Sequence, residues 1–108
     1  MLKARLPTFV AEHYECHEWR HASAILSQDF PSEWDKLLEL LTVFRLRRSW
    51  ITQGGGNKSQ LSMFVDRFLG GRGWIEKQFQ TAIEVDGVRL ASPTHKVDCF
   101  KNGIALEI

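Results

Sequence analysis

Cysteine is scarce, with two in 108 residues, Cys16 and Cys99. That is too few for a disulfide framework, and a reduced thiol pair is expected. No run approaches the roughly 18 apolar residues that a membrane-spanning helix needs. Behind Lys3 and Arg5 there is no sustained apolar stretch of the secretory kind. The expectation is a cytoplasmic protein with no membrane partner. Charge of one sign is missing too: 14 Lys and Arg stand against 13 Asp and Glu, a formal net charge of +1. This excludes a generic polycation, so nucleic-acid binding has to come from local basic patches. No repeat or low-complexity tract is present. His13, His17 and His21 recur every four residues, but no cysteine or carboxylate pattern of zinc-site type accompanies them and their segment does not read as a helix.

What is there is 44% apolar and 11% aromatic, enough for a single domain over 1–108 with residues 1–13 as an N-terminal arm. From Pro7 to Arg20 the pattern reads as extended or irregular. His21 to Leu26 opens a short helix that ends near Asp29-Phe30-Pro31, because proline disfavours helix in the residue before it. Ser32 and Asp35 then form a Ser-x-x-Asp capping arrangement, and Trp34, Leu37, Leu38, Leu41 and Phe44 recur at helical spacing. A loop around Gln53-Gly54-Gly55-Gly56-Asn57-Lys58 follows. A third helix carries Leu61, Phe64, Val65, Phe68 and Leu69 on one face, Asp66 and Arg67 on the other, and Gly70-Gly71 as its stop.

After Gly73 the texture turns to β. Phe79, Thr81, Ile83 and Val85 alternate with polar or small residues, and Asp86-Gly87 marks a turn. Lys96 to Lys101, Asn102-Gly103 and Ile104 to Ile108 form the strongest hairpin signal in the chain. A two-residue turn at Asn102-Gly103 pairs Lys101 with Ile104, Phe100 with Ala105, Cys99 with Leu106 and Asp98 with Glu107. Two carboxylates directly opposite each other destabilise a sheet, so they call for compensation. A hard divalent cation such as Mg²⁺ would supply it, since it prefers oxygen ligands from one or two carboxylates with water and phosphate. The bland alternative is a solvated acidic pair tempered by Lys96 or Lys101.

Asp98, an eight-residue gap and Glu107 also match the metal-binding part of the restriction-endonuclease motif, an Asp followed across a hairpin by Glu-x-(Lys, Glu or Gln). Tyr14-Glu15-Cys16-His17-Glu18-Trp19-Arg20-His21-Ala22, Gly55-Gly56-Asn57-Lys58-Ser59, Arg72-Gly73-Trp74 and Ser92-Pro93-Thr94-His95-Lys96-Val97-Asp98 look like the corresponding stretches of BglII-type restriction endonucleases. The sequence therefore resembles the N-terminal half of that family over residues 14–108. The resemblance implies an α+β, restriction-endonuclease-like fold with a mixed sheet flanked by helices, here truncated to three helices on a small sheet that ends in a hairpin. It further implies Mg²⁺-dependent hydrolysis of double-stranded DNA by a homodimer, with Asp98 and Glu107 as catalytic and metal-binding residues. The motif's third position falls at residue 109, one past Ile108. The expectation is hence a DNA-binding protein with weak Mg²⁺ binding and weak or absent cleavage. An active Mg²⁺-dependent endonuclease is the alternative, and a protein-interaction module without DNA binding the third.

For DNA contact the candidates are Arg45, Arg47 and Arg48 after the second helix, Asn57, Lys58 and Ser59 at the start of the third, and Arg67 and Arg72 at its end. A polar helix start offers free N–H groups to a phosphate. Against this, Arg45 to Arg48 also suit a helix C-terminus, and Asn57 or Ser59 a simple N-cap. Trp19, Trp34, Trp50 and Trp74 read as core or interface anchors.

Overall fold

A computed structural model describes residues 2–52, 59–92 and 95–108. The chain divides into two units, Met1–Leu61 and Ser62–Ile108. The class is α+β, with five α-helices and two small antiparallel sheets among the described residues. Among the described residues all strand pairing is antiparallel, so the mixed sheet that the resemblance implies is not seen there.

The first unit is helical: a 3₁₀ turn at Leu2–Arg5, then α1 (Thr8–His13), α2 (Ala22–Asp29), α3 (Pro31–Val43) and α4 (Arg48–Thr52). Residues 8–13, expected as part of an extended arm, are a helix in which Phe9 stacks on His13 and Val10 is fully buried. α2 enters through two left-handed residues, Arg20 (φ 50°) and His21 (φ 58°). That path returns the Glu18 carboxylate to the helix start, where Oε2 accepts the Ser23 N–H at 3.0 Å. An acceptor three residues upstream of the N-cap thus satisfies one of the orphan donors.

α3 starts at Pro31, whose missing N–H and fixed φ suit a first helical position. Ser32 lies inside the helix, and no side chain caps this end, so the Ser-x-x-Asp reading is corrected. α1 and α2 both pack on α3, and its most buried positions are Glu33 and Leu40, one step round from the expected stripe. At the other end Tyr14 donates its hydroxyl to the Leu41 carbonyl at 2.7 Å. Arg45 donates to the carbonyls of Thr42 and Phe44, each at 2.7 Å. These contacts satisfy carbonyls that a helix end leaves without partners.

The second unit takes nearly all of α5 (Gln60–Gly70), then β1 (Ile75–Phe79), β2 (Ala82–Val85), β3 (Val88–Ala91), β4 (His95–Lys101) and β5 (Ile104–Leu106). β4 is central in one sheet of order β1-β4-β5, and β2 with β3 forms a separate ribbon. The expected strand through Phe79 to Val85 is broken at Gln80 and Thr81, so Phe79 and Ile83 belong to different sheets. Val65 and Leu69 of α5, Trp74, and Val97 and Cys99 of β4 are this unit's buried core. Each buried side chain of this kind is worth about 1.5–3 kcal/mol. Gly73 sits at φ 90° between α5 and β1, with Lys101 close to where a Cβ would project. Of the four tryptophans only Trp74 is buried. Trp19 is 77% exposed and anchors nothing in the described residues' core.

Candidate functional site

The acidic candidates are carried by the β4–β5 hairpin. Asn102 (φ 50°) and Gly103 (φ 86°) both take positive φ, the requirement of a type I′ turn, whose twist matches the flanking strands. The ladder runs Lys101–Ile104, Phe100–Ala105, Cys99–Leu106. Asp98 and Glu107 are the next residue on each side of it. Val97 and Cys99 point into the core while Asp98 is exposed, and Glu107 is exposed beyond the half-buried Leu106. Strand alternation therefore keeps both acids out of the core.

Each carboxylate has its own local partner. Asp98 Oδ2 accepts the Ile108 backbone N–H at 2.9 Å, and Glu107 Oε1 lies 2.9 Å from His95 Nε2. The two lysines expected to temper the acids are engaged elsewhere. Lys96 pairs with Glu76 at 3.0 Å, and Lys101 donates to the Arg72 carbonyl at 2.9 Å. Relief of the acidic repulsion instead comes from an imidazole and a backbone donor. His95 lies in a segment that carries the family resemblance, yet the sequence assigns it no role, because only the strand register brings it to Glu107. Among the described residues no group of three or more His, Cys, Asp or Glu side chains is assembled as a cation site.

The basic candidates differ in how free they are. Arg45 is held twice over, by the α3 carbonyls and by its guanidinium lying 4.2 Å from the centre of the Phe9 ring. Arg72 is held likewise, 3.6 Å above the Phe68 ring, with a hydrogen bond to the Phe68 carbonyl at 2.9 Å. Arg47 and Arg48, at the start of α4, and Arg67 on α5 are exposed. Ser59, also exposed, directly precedes α5. Asn57 and Lys58 lie outside the described residues. Arg45, Arg47 and Arg48 belong to the first unit, and Arg67, Arg72, Asp98 and Glu107 to the second.

In the first unit, Tyr14 and Glu18 have shifted titration. Burial raises the Tyr14 phenol above its ordinary range, against an opposing pull from Arg45. Ser23 holds Glu18 below the ordinary carboxylate range. The buried Ser23 hydroxyl lies beside the carboxylate without closing a bond of normal geometry, and the Ser23 N–H donates to it.

Set against known families, residues 14–108 match the one described as restriction endonuclease BglII/BglIII. No curated protein and no solved structure matches the chain.

Proposed function

The chain belongs to the BglII/BglIII restriction endonuclease family, and from that membership we propose that it binds double-stranded DNA in the cytoplasm as a homodimer, holds Mg²⁺ weakly, and cleaves DNA weakly or not at all. The observation that carries the reading is the register of the β4–β5 hairpin, which brings Asp98 and Glu107 to the same end of two paired strands, outside the core. Two exposed carboxylates fit Mg²⁺ in kind, being hard oxygen donors, and leave room for water and phosphate. Bound there, Mg²⁺ would neutralise phosphate charge and acidify water. Asp98 and Glu107 are its ligands in this reading, and His95 orients Glu107. Both acids already accept hydrogen bonds, so a cation competes with the Ile108 N–H and with His95, which supports weak binding. Arg47, Arg48, Arg67, Lys58, Ser59 and Asn57 are the phosphate contacts proposed, with Arg45 and Arg72 in supporting roles.

An active Mg²⁺-dependent endonuclease is the second reading, favoured by the exposure of both acids. A gel-shift titration with and without Mg²⁺, run beside a plasmid nicking assay, tests the pair. Retarded duplex with little nicking is the expected result, and nicking abolished in Asp98→Ala supports the second reading. A chain that shifts no duplex even at low salt overturns both and leaves a protein-interaction module.

A further inference from the structure

The β2–β3 ribbon has two unlike faces. Its register pairs Ala82 with Ala91, Ile83 with Leu90, Glu84 with Arg89 and Val85 with Val88 across the Asp86-Gly87 turn. Alternation therefore puts Ile83, Val85, Val88 and Leu90 on one face and Ala82, Glu84, Arg89 and Ala91 on the other. At the base of the ribbon the Thr81 and Ser92 hydroxyls bond to each other, and the Ser92 N–H donates to the Thr81 carbonyl at 3.1 Å. On the polar face the Ala82–Ala91 pair is too small to fill its share of the surface. An open depression of about 380 Å³ results, flanked by Gln80 and Arg89.

Thr81 and Ser92 are bonded to each other at that depression, whereas the polar heads of Arg89 and Gln80 have no partner among the described residues. Arg45 is pinned by two carbonyls and a ring and Arg72 by one carbonyl and a ring, but Arg89 is exposed on β3 and Gln80 is exposed just before β2. The face carries one Arg and one Glu, so it has no net charge and does not suit the phosphate backbone, which a carboxylate repels. It does suit base edges. A two-stranded ribbon fits the major groove of B-DNA, where Arg pairs bidentately with guanine O6 and N7 and Gln with adenine N6 and N7. There Glu accepts from cytosine N4, and alanine methyls meet the thymine methyl. Two paired alanines also let the ribbon backbone come close to the floor of the groove.

We propose that the polar face of the β2–β3 ribbon, with Arg89 and Gln80 either side of the Ala82–Ala91 depression, is a sequence-reading surface for the DNA major groove. The proposal rests on the duplex-DNA reading above and deepens it. Arg89 selects a guanine, Gln80 selects an adenine, and the phosphate contacts lie elsewhere in the chain.

The test is selection of a randomised duplex pool by the full chain, followed by titration of the enriched duplex and of bulk genomic DNA with Arg89→Ala, Arg89→Lys and Gln80→Ala. The expected result is an enriched motif containing a guanine. Arg89→Ala should then lose about 5- to 150-fold in affinity for that motif, the range of one bidentate base contact, while bulk DNA is bound within about threefold of the parent. Arg89→Lys should fail as well, because an ammonium does not reproduce the planar fork. A parent that binds bulk DNA but enriches no motif overturns this inference and leaves the DNA-binding reading standing. So does a motif that the Arg89 and Gln80 variants read unchanged. A parent that binds no duplex at all overturns both.

Discussion

Arg45 and Arg47 are two positions apart and differ in what they are free to do. Arg45 caps α3 and covers the Phe9 ring, whereas Arg47 is exposed at the entry to α4. Arg45→Ala is therefore expected to lower stability by about 0.5–1.5 kcal/mol in denaturant titration, the range of one net hydrogen bond. Arg47→Ala and Arg48→Ala should instead weaken DNA binding evenly across sequences, and each should reduce the slope of log affinity against log salt by about 1. A salt slope that stays at the parent value in both variants would remove these arginines from the phosphate contacts. Tyr14 is the companion cap, and Tyr14→Phe is expected to cost about 0.5–1.5 kcal/mol by leaving the Leu41 carbonyl without its donor. Its raised pKa sets a sign. The protonated phenol is favoured in the fold, so its contribution is complete at neutral pH. It is lost as pH rises from the ordinary tyrosine value through the raised one. Stability measured against pH should fall less on the alkaline side in Tyr14→Phe.

Element starts and turns rest on single backbone positions. α2 begins where the left-handed Arg20 and His21 bring Glu18 back to the Ser23 N–H. Glu18 is held below its ordinary pKa, so its stabilisation is present above the ordinary carboxylate value and is lost as pH falls through the lowered one. In Glu18→Gln the acid limb of the stability profile should be shallower, with α2 helicity already reduced at neutral pH. In the β4–β5 turn, Gly103 has open space where a Cβ would project, so a substitution there meets no steric neighbour. The cost of Gly103→Val is then the backbone cost of a left-handed residue, about 1–2 kcal/mol. Because the same turn sets the register that aligns Asp98 with Glu107, Mn²⁺ affinity read by titration calorimetry should fall with stability. A variant that loses stability but keeps its Mn²⁺ affinity would separate the cation site from the hairpin.

At the scale of the whole molecule, a net charge of +1 over 108 residues leaves little general attraction for a polyanion. DNA binding is expected to show a salt slope that counts only a few local contacts, and affinity that stays flat from low to high salt would contradict it. The proposed homodimer has its own physical motive. Among the described residues β5 lies at the edge of its sheet, where a row of unpaired backbone groups is a template for a second chain. Ile108, 48% exposed, extends the apolar side of that edge. Light scattering should report a dimer at micromolar concentration, and Ile108→Lys should shift it towards monomer without unfolding it, since the side chain is exposed. A monomeric parent would remove β5 as the interface.

Local chemistry determined much of this protein. Asn102-Gly103 alone specifies a tight hairpin turn, because both positions must accept positive φ, and the two-residue count then sets every cross-strand pair down to Cys99–Leu106. The same logic placed the end of α5 at Gly70 and the Asp86-Gly87 turn, and the family is legible over residues 14–108. Tertiary structure decided what side-chain pattern leaves open. Thr8–His13 is helical with Val10 buried, and in α3, on which α1 and α2 pack, the buried positions are Glu33 and Leu40. It also decided which charges are free. No spacing rule distinguishes Arg45 from Arg47, or pairs His95 with Glu107, since those partnerships depend on where a ring, a carbonyl or a neighbouring strand comes to rest once the chain has folded.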